Sequence, residues 1–148
     1  MPDAAASPFD STRTADEPRP VILVIDDDQP VLQSMEILLQ MYGFDVLTAR
    51  NGDEGLKLFR RQKPAAVITD IMMPGRDGIE TIREIRNEFP DAKIIAMSGG
   101  GRVGNTDFVS LAMKLGADCG IYKPFDIEKP VELLRRLLDD RRQGPFAA

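Results

Sequence analysis

Between residues 21 and 141 the apolar positions alternate between two rhythms. Val21–Ile25 is an unbroken β-branched run, the pattern of a strand buried on both faces. Val31, Leu32, Met35, Leu38, Leu39 and Tyr42 then recur at helical spacing, and Gly43 stops them. The alternating character of Phe44–Ala49 predicts a second strand near a sheet edge. Asn51-Gly52 opens a helix carrying Leu56, Leu58 and Phe59, which Pro64 ends. The rhythm repeats with a third strand over Ala65–Thr69, a helix marked by Ile79, Ile82, Ile85 and Phe89, and a fourth strand over Ala92–Met97. A helix over Phe108 to Leu115, a short fifth strand over Gly120–Tyr122 and a helix through Ile127, Val131, Leu134, Leu137 and Leu138 complete it. Five strand–helix units with apolar strands predict an α/β fold, a doubly wound five-stranded parallel sheet in the order 2-1-3-4-5. Its crevice lies at the carboxyl ends of strands one and three.

Outside this stretch the pattern fades. Residues 1–20 hold four prolines with small and acidic residues and read as a disordered tail, residues 21–141 as the folded domain, and 142–148 as a short C-terminal tail. The absence of histidine excludes Ser-His-Asp and Cys-His catalysis, His-ligated zinc and a phosphohistidine carrier. A single cysteine, Cys119, allows neither an internal disulfide nor a Cys-rich metal site, which points to a reducing compartment and a cytoplasmic protein. No apolar run reaches the ~20 residues of a membrane span, and the start has no secretory pattern. With 19 basic and 24 acidic residues the net charge is −5, so direct nucleic-acid binding is not expected.

The chemistry gathers at strand ends. Asp26-Asp27-Asp28 follows the first strand, Asp70 the third, Ser98 the fourth and Lys123 the fifth. Strands one and three are neighbours in the predicted order, so the acidic run faces Asp70 across the switch point. Crowded carboxylates repel one another, which raises a pKa or recruits a cation. An all-oxygen donor set selects a hard divalent ion, Mg²⁺ by cellular default. Asp70 can then act as nucleophile toward a phosphoryl group, with Lys123 neutralising its oxygens and Ser98 donating a hydroxyl. Each residue also has an ordinary reading: Asp28 ahead of Gln29-Pro30 as a helix cap, Asp70 as a turn former, Ser98 as loop and Lys123 as a solvated surface charge. Their joint placement at four strand ends favours the site.

The segments VILVIDDD, VITDIMMPGRDG, IIAMSGG and GIYKPF, in that order and spacing, resemble the response-regulator receiver domain of two-component signalling over roughly residues 20–141. The resemblance implies a flavodoxin-like (βα)5 domain in which Asp70 accepts a phosphoryl group from a histidine kinase or phosphotransfer protein. It implies that Asp26 and Asp27 hold Mg²⁺ with Asp70, that the main-chain carbonyl of Met72 completes the metal site, and that Ser98 and Lys123 read the phosphorylated state. Lys123-Pro124 matches the cis peptide of the family. With no DNA-binding or enzymatic segment after the fifth helix, the expectation is a stand-alone, chemotaxis-type regulator, monomeric or dimerising on phosphorylation. Leu133 widens the apolar face of helix five, which ordinary core packing accounts for; the alternative is that helix four, strand five and helix five form a phosphorylation-dependent contact with a downstream protein or a second copy, as this face does in similar receivers. One position departs from the family: Gly120 stands where a switch aromatic is usual, and Tyr122 immediately precedes the lysine.

Two rival readings belong to another class. Gly99 to Gly104 satisfies G-x-G-x-x-G but follows the fourth strand rather than the first, so a loop that rearranges around Ser98 accounts for it better than a dinucleotide site. A haloacid-dehalogenase-type phosphatase also uses an aspartyl-phosphate and a D-x-D, met here by Asp26 and Asp28, yet it needs a further acidic pair after its lysine and leaves Asp70 unexplained. Met72 and Gly100, the positions flanking the acceptor, have no side chain that can orient a water, which predicts a long-lived phosphoryl group.

Overall fold

The strand order follows from which runs are apolar on both faces. In a computed structural model describing residues 18–73, 78–99, 102–103 and 106–139, β1 (Val21–Ile25), β2 (Asp45–Ala49), β3 (Ala66–Asp70), β4 (Ile94–Ser98) and β5 (Cys119–Tyr122) form one sheet. The order is β2-β1-β3-β4-β5 and every pairing is parallel. β3 and β4 are buried at every residue, and β1 at all but its first, as their unbroken apolar runs require. β2, at the edge, is only partly buried until its last residue, Ala49.

The helices α1 (Gln29–Met41), α2 (Gly52–Gln62), α3 (Gly78–Glu88), α4 (Phe108–Leu115) and α5 (Glu128–Leu138) cover both faces. Leu32, Met35 and Leu39 of α1 and Val131, Leu134 and Leu137 of α5 pack with Ile22, Ile68 and Met97 on one face. Leu56 and Phe59 of α2, Ile82 and Ile85 of α3 and Val109 and Ala112 of α4 pack with Leu23, Val67 and Ile94 on the other. Short polar side chains cap the starts of α1, α2 and α4. Asp28 accepts from the Val31 N–H at 3.5 Å, Asn51 from Glu54 at 2.8 Å and Asp107 from Val109 at 3.1 Å. Gly43, at φ +98°, takes the left-handed turn after α1.

Boundaries move by a residue or two from those expected. β3 and β4 run one residue further than the apolar pattern, so Asp70 and Ser98 are the last residues of their strands. Arg102–Val103 pairs antiparallel with Thr106–Asp107 inside the segment read as loop. Of the two tails, only residues 18–20 lie within the described residues. There Arg19 donates to the Gln40 carbonyl at 2.6 Å, and the Pro20 carbonyl accepts from the Asp45 N–H at 2.9 Å. Among the described residues no helix is long and apolar enough to cross a membrane. Cys119 is buried in the core, and burial pushes its thiol up to about 12, so it is no nucleophile at neutral pH.

Candidate functional site

Each strand of the sheet's middle ends on the same rim. The backbone leaves β1 at Asp26, which is fully buried, while Asp27 beside it is exposed. Asp26 is held twice: Oδ1 accepts from the Asp28 N–H at 2.9 Å, and Oδ2 accepts from Lys123 Nζ at 2.7 Å. Asp70 ends β3 on the neighbouring strand with 6% exposure, and its Oδ2 lies 3.6 Å from Lys123 Nζ. Oxygens of Asp26, Asp27 and Asp70 all fall within 4.8 Å of one another. Lys123 reaches this cluster from the loop after β5, where Lys123-Pro124 is cis.

Burial and the neighbouring Asp26 charge raise the Asp70 carboxyl from 3.8 to about 6, against the lowering influence of Lys123 and of the Met72 N–H that donates to it. Burial disfavours charge on Lys123 too. The hydrogen bond to Asp26 and the field of Asp70 outweigh it and hold the ammonium above its ordinary range. Ser98 ends β4 one residue beyond Met97, the register partner of Asp70. It is fully buried, and its hydroxyl has no hydrogen-bond partner among the described residues. An orphaned buried hydroxyl is rare and marks a place for an absent acceptor. Three carboxylates with no nitrogen or sulfur donor suit a hard divalent cation, so the donor set fits Mg²⁺.

The structure therefore brings Asp26, Asp27, Asp70 and Lys123 together and sets Ser98 at the adjoining strand end. Asp28 does not join them: its side chain caps α1. Met72 is 51% exposed beside the acceptor, while Gly100 lies outside the described residues. Sequence reasoning missed Gly78. A Cβ there would overlap the Asp70 carbonyl oxygen and lie 2.6 Å from Ile71 Cα, so only glycine lets α3 start against the acceptor's backbone. The one available signal was its place in the PGRDG segment, which the periodicity left without a role. Tyr122, also unforeseen, donates its hydroxyl to Asp107 at 2.7 Å.

Fold and site together define a flavodoxin-like α/β domain with a carboxylate cluster and a lysine at its switch point. The chain belongs to the response regulator receiver domain family of two-component systems, which matches residues 22–135. It is 38% identical over 116 residues to a probable transcriptional regulator, ycf27, of Porphyra purpurea, covering 78% of this chain and 45% of that protein. A protein of the same description from Guillardia theta is 34% identical over 132 residues, covering 89% and 50%. The chain thus spans about half the length of the curated relatives it matches. Among solved structures, a response regulator receiver domain protein from Clostridium thermocellum shares 34% identity at a TM-score of 0.76, covering 83% of this chain and 97% of that one. A CheY-like receiver domain protein from Methanospirillum hungatei shares 25% identity at 0.78, covering 85% and 98%.

Proposed function

We propose that this chain is a phosphoacceptor in which Asp70 takes a phosphoryl group from a phosphohistidine on a histidine kinase or phosphotransfer protein. The observation that carries this reading is the buried Asp70 carboxylate clustered with Asp26 and Asp27 and 3.6 Å from the Lys123 ammonium. An Asp70 carboxylate oxygen forms the new O–P bond as the donor's N–P bond breaks, and the imidazole leaves. Lys123 is placed to trade part of its attraction to Asp26 for the incoming phosphoryl oxygens, and the Ser98 hydroxyl to donate to another. Asp26, Asp27 and Asp70, with the Met72 main-chain carbonyl, would hold Mg²⁺, which supplies charge neutralisation for the transferring group.

The phosphatase alternative is disfavoured by Asp28, whose side chain is committed to the α1 cap and so is not part of a D-x-D site with Asp26. The signal would pass to a downstream protein, or to a second copy, through α4, β5 and α5 in the cytoplasm. The acidic balance of this chain leaves nucleic acid outside its own contacts. Incubation with radiolabelled phosphorylated histidine kinases and Mg²⁺ tests the reading. One stoichiometric label, base-labile and lost in Asp70→Asn, supports it. Steady turnover of p-nitrophenyl phosphate without a stable label overturns it in favour of the phosphatase.

A further inference from the structure

Position 120 has no side chain, and α4 leaves no room for one: a Cβ there would overlap Val109 Cγ1. Two residues further along β5, Tyr122 lies on the same face by strand alternation and is 47% exposed. Its hydroxyl donates to both Asp107 oxygens, at 2.7 and 2.9 Å. The same carboxylate caps α4, accepting from the N–H groups of Val109 and Ser110. One side chain thus ties the start of α4 to the end of β5.

The Tyr122 end of this tie is a close neighbour of the residues assigned to the phosphoryl group. Tyr122 pairs in register with Ser98, and the Lys123 N–H donates to the Ser98 carbonyl at 2.8 Å. Asp107 closes the connection that begins at Ser98. Tyr122 therefore adjoins both Ser98 and Lys123, and its partner Asp107 precedes α4 directly.

We infer that the Tyr122–Asp107 hydrogen bond is a latch: it holds α4 in its unphosphorylated position and opens when Ser98 and Lys123 engage the phosphoryl group. The inference rests on the phosphoacceptor reading. In this structure the latch is closed while the Ser98 hydroxyl has no partner among the described residues. Drawing that hydroxyl onto a phosphoryl oxygen moves one end of the connection, and re-aiming Lys123 moves the chain next to Tyr122. A hydrogen bond made in only one of two states biases the equilibrium toward that state, so its removal favours the other. Tyr122 is in this sense a positioning residue for the readout, in a chain whose residue 120 has no side chain to serve.

The test is beryllofluoride affinity in saturating Mg²⁺, measured by titration calorimetry on the full chain. Tyr122→Phe should bind about threefold to tenfold more tightly than wild type, equivalent to about 0.7–1.4 kcal/mol. Asp107→Asn keeps a cap and weakens the same bond, so it should also tighten binding, and the double variant should not add the two gains. A merely structural bond would lower stability while leaving this affinity unchanged. Unchanged or weaker binding in Tyr122→Phe, with wild type binding normally, overturns the latch alone. Absence of binding in wild type overturns the phosphoacceptor reading beneath it.

Discussion

Replacing Asp70 by asparagine should make the metal-free protein more stable, although it removes the acceptor. The carboxyl is 6% exposed, with Asp26 and Asp27 beside it, and burial followed by the Asp26 charge raises it from 3.8 to about 6. That difference is roughly two pH units at about 1.4 kcal/mol each, so the ionised group costs the fold about 3 kcal/mol at pH 7.5. The figure is already net of the attraction from Lys123. Because the folded value lies above the unfolded one, the stability from the protonated form is complete below about 3.8 and lost as pH rises through about 6. The amide never ionises. Its advantage should therefore be about 3 kcal/mol at pH 7.5, or roughly 6–12 °C in Tm, and shrink to about 1 kcal/mol near pH 4.5. Urea unfolding followed by far-ultraviolet circular dichroism in EDTA at these two pH values measures both numbers. Saturating Mg²⁺ should close most of the gap at pH 7.5 by neutralising the carboxylates. Equal stability of variant and wild type at pH 7.5, or an advantage that does not change with pH, would refute the reasoning.

Asp27→Asn removes one of three carboxylates from the cluster and should weaken Mg²⁺ binding roughly tenfold or more by calorimetry; an unchanged titration would take Asp27 out of the site. Gly78→Ala drives a methyl into the backbone of Asp70 and Ile71 and should cost about 1–3 kcal/mol in urea unfolding and slow phosphotransfer together. Lys63 ends α2 at φ +46°, so Lys63→Gly should raise stability by about 0.5–1 kcal/mol with phosphotransfer unchanged. A loss of stability there would mean that the lysine side chain contributes more than its backbone strain costs.

How much of this was legible in the chain depends on whether a residue's partner leaves a periodic trace. Val21–Ile25 showed itself as a doubly buried strand because burial on both faces removes the polar alternation, and the structure bears this out. Asp70 and Ser98 were placed just beyond their strands because apolarity ends there. The hydrogen-bonded ladder does not: Asp70 still pairs with Met97, and Ser98 with Tyr122. The short antiparallel pair at Arg102–Val103 has too few residues to show a period of two. Arg86 left no trace at all. Its guanidinium donates to the carbonyls of Pro90, Ala92 and Gly116 and to Asp118, up to 32 residues away, and so fastens the end of α3 to the turns before β4 and β5. A polar clasp of that kind has no spacing rule to betray it.

The site's electrostatics also explain why its signal has somewhere to go. Lys123 follows β5, yet its closest partner is Asp26 at the end of β1, with β3 and β4 between the two strands. The ammonium therefore spans the rim across Asp70, and the ion pair is a mechanical link as well as a charge pair. Asp26 and Asp70 share this cation, and the acceptor's own carboxylate is the more distant partner, at 3.6 Å against 2.7 Å. A phosphoryl group on Asp70 carries more negative charge than the carboxylate it replaces and extends further from the strand, so it competes for Lys123 on better terms than Asp70 alone. The gain is largest where the starting arrangement is least satisfied. That condition holds here twice, in the raised Asp70 carboxyl and in the unpartnered Ser98 hydroxyl. Both tensions are relieved by the same ligand, and Tyr122 adjoins both side chains that meet it, Ser98 as its register partner on β4 and Lys123 as the next residue in the chain.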